Sequence, residues 1–480
     1  MRCGSFMKRL LKLAVIVILL SVLSTIILDF VSDRLSDTDH ENYEDDQPLF
    51  GIHSPHRQPP IYLPAEEPTD LPLIVWWTPF IPEDRKIREC SLGSCLITKS
   101  RTELSNPNTQ VDVFMFYGSD LHWSDLPLPR KPRHMWALLN EESPKNNWVF
   151  ATEKGISLFN LTSTYSRYSN YPIVLHYLHT LINLSQPQRV PTKDKSTGDL
   201  GLVMYMQSDC NPPSDRDSYI QELMKYVKVD SYGRCLHNRD LPEHLTDSLT
   251  FNAQDVIDLV AKYKFAISFE NAVCHDYITE KFWRPLYAGT VPIVHGSPTI
   301  KDWAPTDHSI IVADDFASPK ELAEFLLKLD TDDNKYNEYL EFKRSGITNQ
   351  RLLEHYRHRE WTVDDDDGLD FIDGFQCFVC NELHKRRQQQ NPELMVANRD
   401  HCVCPVPEPF LKETGKTIEE RMEKMDEEAR DEMDFWRRTA GCAEEVAAVL
   451  DKSFGRGETQ EELNQRIENE CTDICARNFK

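Results

Sequence analysis

Between residues 202 and 329 short β-prone runs alternate with stretches of helical period, and that alternation leaves few folds open. The runs at 202–206, 265–269, 291–294 and 310–312 read as strands, and 215–227, 277–286 and 319–329 as helices. Strands joined through helices make a parallel sheet, the mark of an α/β fold. In such sheets ligands bind beyond the carboxyl ends of the strands, where loops enter helices. Ahead of this region, residues 73–77 and 111–117 are β-prone and end in Gly or Pro signals, with 136–139 and 173–175 as weaker strand candidates. A polar stretch at 186–198 lacks a core pattern and divides two α/β halves.

The ends of the chain differ in character. Residues 13–28 are an unbroken run of apolar residues plus Ser and Thr, preceded by Lys8, Arg9 and Lys12 and followed by Asp29 and Asp33. The run is a little short of the roughly 20 residues a thick bilayer needs and suits the thinner membranes of the early secretory pathway. The basic flank should stay cytosolic, leaving the bulk in the lumen. A cleaved signal peptide is the competing reading, although no small-residue cleavage site follows. We expect a cytosolic tail at 1–12, a transmembrane signal-anchor at 13–31 and an acidic, flexible stem at 32–70. An N-terminal half at 71–198 and a C-terminal half at 199–363 should follow. An acidic, Cys-containing extension at 364–480 completes the chain; it includes four consecutive Asp at 364–367 and a helical stretch at 418–438.

A formal net charge of −24 argues against a nucleic-acid partner, yet a local basic pocket could still take an anionic small molecule. Twelve of the thirteen cysteines lie beyond the anchor, an even set that reads as disulfides in an oxidising compartment. Cys377-x-x-Cys380 near Cys402-x-Cys404 leaves zinc as the alternative. Sequons at Asn160 and Asn183 fit N-glycosylation in the same compartment.

Three segments could carry chemistry. The run from Phe269 to Pro285 passes from strand end through loop into helix. Asn271 can donate and accept, Asp276 or Thr279 can cap the helix, and Glu280 and Lys281 fall in its first turn. Free N–H groups and partial positive charge at such a helix start suit phosphate and hydroxyl-rich ligands. The bland alternative is a capped helix with a solvated Glu–Lys pair. The second segment, 207–217, also follows a strand and opens a helix, and its Arg216 could fork a pyrophosphate or lie on the surface. The third, 140–144, places Glu142 where a carboxylate could act as general base; a turn with exposed acids is the alternative.

Taken in order, these pieces resemble a known family. The run Phe269-Glu-Asn-x-x-Cys-x-Asp-Tyr-Ile-Thr-Glu-Lys281, then Val291-Pro-Ile-Val-His-Gly-Ser-Pro298, is similar to the donor-site signature of the α1,3-fucosyltransferases. Glu142-Ser-Pro144 and the loop from Ser208 to Arg216 match in order and spacing, over roughly residues 71–380. The segments 140–147, 207–219 and 229–233 resemble a divergent branch of protein O-fucosyltransferases that act on folded EMI-type domains in the endoplasmic reticulum.

The resemblance implies two facing Rossmann-like domains of the GT-B glycosyltransferase type, with the donor in the C-terminal one. It implies Glu142 as general base, and Arg216 and Lys281 as the cations on pyrophosphate. Ser208, Asn271, Tyr277 and Glu280 would be donor-binding residues. Glu141 stands where the family has an apolar or aromatic residue, so it is an alternative base. Cys90 and Cys95 would bridge to Cys377 and Cys380.

The implied reaction is inverting transfer of fucose from GDP-β-L-fucose, in α linkage, with no metal or cofactor. The implied acceptor is Ser/Thr of a folded protein domain or, alternatively, GlcNAc of a glycan by α1,3-linkage. Another nucleotide sugar as donor, or a non-catalytic luminal binder on the same fold, are the lesser readings. Residence would be in the endoplasmic reticulum or Golgi membrane, as a single-pass type II protein. Asp314 with Asp315 and the run at 364–367 tempt a metal reading but fall outside the strand–loop–helix contexts.

Overall fold

Two parallel-stranded sheets position everything that follows. The computed structural model describes strand Ile61–Tyr62 and residues 70–475, apart from 79–80, 82–84, 106–108, 243–244, 246–253, 362–369, 390–393, 413–414 and 473–474. The expected tail, signal-anchor and nearly all of the stem lie outside the described residues, as does the run at 364–367. Among the described residues no helix is long and apolar enough to cross a membrane.

The first sheet has seven strands: β1 (Ile61–Tyr62), β2 (Leu73–Trp76), β3 (Lys86–Cys90), β4 (Gly93–Thr98), β5 (Val111–Tyr117), β6 (Met135–Asn140) and β7 (Leu161–Thr164). Their order is β1-β3-β4-β2-β5-β6-β7. The hairpin β3–β4 and the pair β1–β3 are antiparallel, and the rest is parallel. The second sheet has β8 (Val203–Tyr205), β9 (Val229–Ser231), β10 (Phe265–Phe269), β11 (Val291–His295) and β12 (Ile311–Val312), all parallel in the order β12-β11-β10-β8-β9. In each parallel set the strand that comes first in the chain sits second in space. This is the doubly wound pattern, and it creates a switch point between the first and third strands.

The expected strands formed because their apolar runs suit burial on both faces. All five residues of β10 and all six of β6 are buried. Each large apolar side chain taken fully out of water contributes about 1.5–3 kcal/mol. The run at 173–175 differs: Ile173, Val174 and Leu175 are buried but not paired into a sheet, and Ile173 N instead bonds Thr164 O at 2.9 Å. Apolarity there marks core rather than strand.

The described helices used below are α1 (Arg216–Leu223), α2 (Gln254–Ala261), α3 (Glu280–Ala288), α4 (Pro319–Asp330), α5 (Phe371–Gln388), α6 (Glu427–Arg456) and α7 (Gln460–Glu470). The C-terminal extension is no solvated tail. Helix α5 packs on hairpin β3–β4, where Cys90–Cys377 and Cys95–Cys380 tie it down across separations of 287 and 285 residues. Helix α6 buries Val446, Ala447 and Leu450 against the first half, and Phe454 meets Trp136 edge-on at 4.9 Å. Further disulfides join Cys210–Cys235, Cys274–Cys404 and Cys442–Cys475. Cys402 and Cys471 are buried free thiols, so the even set does not pair completely. Cys377, Cys380 and Cys404 are in disulfides, which removes the zinc reading.

Candidate active site

The switch point of the second sheet lies between β8 and β10, and the loops leaving these two strands hold the predicted donor residues. Thr279, not Asp276, caps α3: its hydroxyl accepts from Lys281 N at 3.4 Å. Lys281 Nζ lies 3.1 Å from both Thr279 Oγ1 and Glu280 Oε1, and 3.7 Å from Glu270 Oε2. Burial pushes the Glu280 carboxyl up, but Lys281 and Arg284 outweigh it and hold the group down at about 2. Glu270 has the opposite balance: burial dominates Lys281 and raises it to about 6. Lys281 itself is raised, because Glu280 and Glu270 overcome its desolvation. The switch point therefore holds a compact acid–cation cluster at a helix start. Gly296 permits it: its φ is 144°, and a Cβ there would lie 2.9 Å from Glu270 Cβ.

Arg216 is buried at the start of α1. Its guanidinium donates to Phe269 O at 3.1 Å and Asp209 O at 2.7 Å, so it braces both loops of the switch point. Asn271 Oδ1 is buried without a hydrogen-bond partner among the described residues. Ser208 is exposed on the loop after β8.

The first half reaches this cluster from the other side. Glu142 follows β6 and accepts the Tyr277 hydroxyl at 3.1 Å, across 135 residues of sequence. Asn140 Nδ2 donates to Glu142 O at 2.8 Å and orients the turn. Glu141 accepts from the Tyr117 hydroxyl at 2.9 Å, and burial raises its carboxyl. Three more contacts grip the loop before α3. Tyr165 packs edge-on against Tyr277 at 5.1 Å. Arg167 Nε donates to Asp276 Oδ2 at 2.8 Å. Cys274–Cys404 fastens the same loop to the C-terminal segment. Lys145 Nζ meets Asp209 Oδ1 at 2.5 Å and joins the turn after β6 to the loop after β8.

A cavity of about 640 Å³ opens on this junction. It is lined by Glu141, His176 and Tyr177 from the first half and by Glu280, Trp283 and Arg284 from α3. A second cavity, about 420 Å³, lies at the ends of β11 and β12 beneath the Pro-rich segment 405–412. Phe410 of that segment stacks on His295 at 3.5 Å and on Tyr219 at 4.2 Å. Asp314 is held there by His295 Nδ1 and Lys412 Nζ, both at 2.7 Å, and Asp315 by Lys301 at 2.9 Å.

Glu142 is thus joined to Tyr277 and Lys281 to Glu280, Glu141 and Glu280 line one cavity, and Arg216 is buried with its guanidinium on backbone carbonyls. Asn183 is exposed and can carry a glycan. Asn160 cannot do so in the folded chain: it is buried, its Oδ1 accepts from Trp136 N at 2.9 Å, and its Nδ2 donates to Met395 O at 2.9 Å. Sequence reasoning also passed over Glu270, though it sits inside the quoted motif, and Tyr117, His176 and Arg167, which belong to no motif.

Acidic groups, a paired lysine and a helix start, facing carboxylates across a cavity, define a class: an α/β transferase site for a phosphorylated, hydroxyl-rich ligand. Two family models match the chain, "Fucosyltransferase, N-terminal" over residues 69–177 and "Glycosyltransferase family 10 (fucosyltransferase) C-term" over 193–397. GDP-fucose protein O-fucosyltransferase 3 of Canis lupus familiaris is 45% identical over 352 residues, 72% of this chain and 73% of the relative. The Homo sapiens protein of that name is 45% identical over 71% of this chain and 72% of its own length. A solved α1,3-fucosyltransferase is 14% identical, with a TM-score of 0.40 over 70% of this chain and 95% of its own. The chain belongs to glycosyltransferase family 10, the fucosyltransferases.

Proposed function

We propose that this protein moves L-fucose from GDP-β-L-fucose to a hydroxyl of a folded protein domain, forming an α linkage with inversion. The juxtaposition of Glu142 with the Tyr277–Lys281 segment carries this reading. The names of the relatives at 45% identity favour Ser/Thr of a protein over GlcNAc of a glycan. The anomeric C–O bond to GDP breaks as the bond to the acceptor oxygen forms. The acceptor proton passes to a first-half carboxylate, and GDP departs with the electron pair.

Charge grows on the diphosphate as it leaves. Lys281 and the start of α3 stabilise that charge more in the transition state than in the ground state. Arg216, whose guanidinium also holds both loops in place, is the second cation assigned to the diphosphate. Asn271, Tyr277, Glu280 and Ser208 are assigned to the donor, and Glu142 to the base, with Glu141 as its alternative. The two sheets would act as facing GT-B lobes. An anchor at 13–31 would hold the protein on the endoplasmic reticulum or Golgi membrane with its catalytic part in the lumen; the disulfides support an oxidising compartment.

Incubating the purified luminal chain with GDP-fucose and a folded, cysteine-rich EMI-type domain tests the reading. Mass spectrometry should find one fucose on a Ser or Thr, with chelator present or absent. Fucose on GlcNAc alone would instead favour the glycan acceptor. No transfer or hydrolysis of GDP-fucose, against turnover of another nucleotide sugar, would reject the donor.

A further inference from the structure

We infer that His176 recognises a hydroxyl of the transferred sugar, as a neutral hydrogen-bond acceptor; this deepens the proposed function and rests on it. His176 lies in no motif and comes from the irregular buried segment after β7. Its residue is only 4% exposed, yet it is one of those lining the 640 Å³ cavity, together with Glu141 and Glu280. Nδ1 is 2.6 Å from Ile173 O. A carbonyl only accepts, so Nδ1 carries the hydrogen and Nε2 presents a bare lone pair. That Nε2 is buried and has no hydrogen-bond partner among the described residues.

Leaving a buried acceptor unpaired costs free energy, and natural proteins rarely do so without a ligand, water or function to justify it. Protonation does not offer a way out: burial pushes the imidazole down to about 4, despite the fields of Glu142 and Glu280. The ring shares its cavity with Glu141, next to Glu142 in the first half, and with Glu280 in the first turn of α3. Whatever occupies the space between the base and the diphosphate site is the group being transferred. The nearby carboxylates of Glu141 and Glu280 are acceptors as well, so this end of the cavity calls for a ligand rich in O–H donors. A pyranose supplies them.

Two substitutions separate this role from mere packing. His176→Asn can keep the bond to Ile173 O but lacks an acceptor at the Nε2 position; His176→Gln can present its amide oxygen near that position. With GDP-fucose as donor, the Asn variant should lose about tenfold or more in kcat/KM. GDP affinity by calorimetry should stay within about twofold, since GDP lacks the contacted group. The Gln variant should recover most of the loss. Donor analogues carrying hydrogen in place of one fucose hydroxyl identify the contact: one should be penalised in the unaltered protein and no longer penalised in the Asn variant. Equal loss of GDP and GDP-fucose affinity, equal loss in both variants, or undiminished turnover in the Asn variant each overturns the inference. An unaltered protein that fails to use GDP-fucose overturns the proposed function instead.

Discussion

At the scale of single residues, two carboxylates side by side face different partners. Glu142 takes the Tyr277 hydroxyl and Glu141 takes the Tyr117 hydroxyl. Glu142→Gln should lower kcat about 10²–10⁴-fold and leave GDP affinity unchanged, because general-base help is worth that much. If Glu141→Gln shows that loss and Glu142→Gln does not, the roles are exchanged; steady-state kinetics with calorimetry decides. Arg167 poses a stability question. Its partner Asp276 is pushed up by burial, but hydrogen bonds from Arg167 and Thr299 prevail and the carboxyl stays below the ordinary range. Such a group adds stability above the ordinary aspartate value, and that contribution is lost as pH falls through its folded value. Arg167→Ala strands a buried charge and should cost about 3–5 kcal/mol at pH 7. The difference from the unaltered protein should shrink below about pH 4, read from urea midpoints across pH.

Most residues proposed for the donor side fall in one local run, a strand end leading into a helix start, and such a run can be read from sequence alone. The proposed base is harder to choose: adjacent acids look alike until their partners are known, and those partners lie 24 and 135 residues away. Asn160 failed as a glycan site for the same reason. Its tripeptide is local information, whereas its burial depends on Met395.

At the scale of elements, strand–helix alternation foretold four of the five strands of the second sheet, with β10 matching its expected bounds and β9 passed over. Strand order is less local, yet it sets the switch point and hence the site. The hairpin β3–β4 went unread, since its residues are half polar and half exposed on β3. That hairpin depends on α5 and two disulfides. Replacing Cys95 and Cys380 together by Ser should lower stability by about 2–5 kcal/mol, measured by denaturant titration of the purified protein. Phe410→Ala should cost about 3–5 kcal/mol by emptying the slot between His295 and Tyr219, with Phe410→Tyr far milder.

At the scale of the whole molecule, the acidic extension is part of the core despite its charge: α6 is amphipathic and its apolar stripe completes the core of the first half. Leu450→Asp should therefore abolish soluble expression rather than alter catalysis. Recovery of soluble protein beside a neutral surface change such as Glu445→Gln measures it.

The return of the last hundred residues to the first half has a temporal meaning. A ribosome delivers β2 through β7 long before α5, α6 and the cysteines at 377 and 380 emerge. Until then the earliest-made sheet must wait with an uncovered flank and two unmated thiols. A premature stop in the final stretch would thus ruin the oldest part of the chain, although every residue proposed for the donor had already been translated.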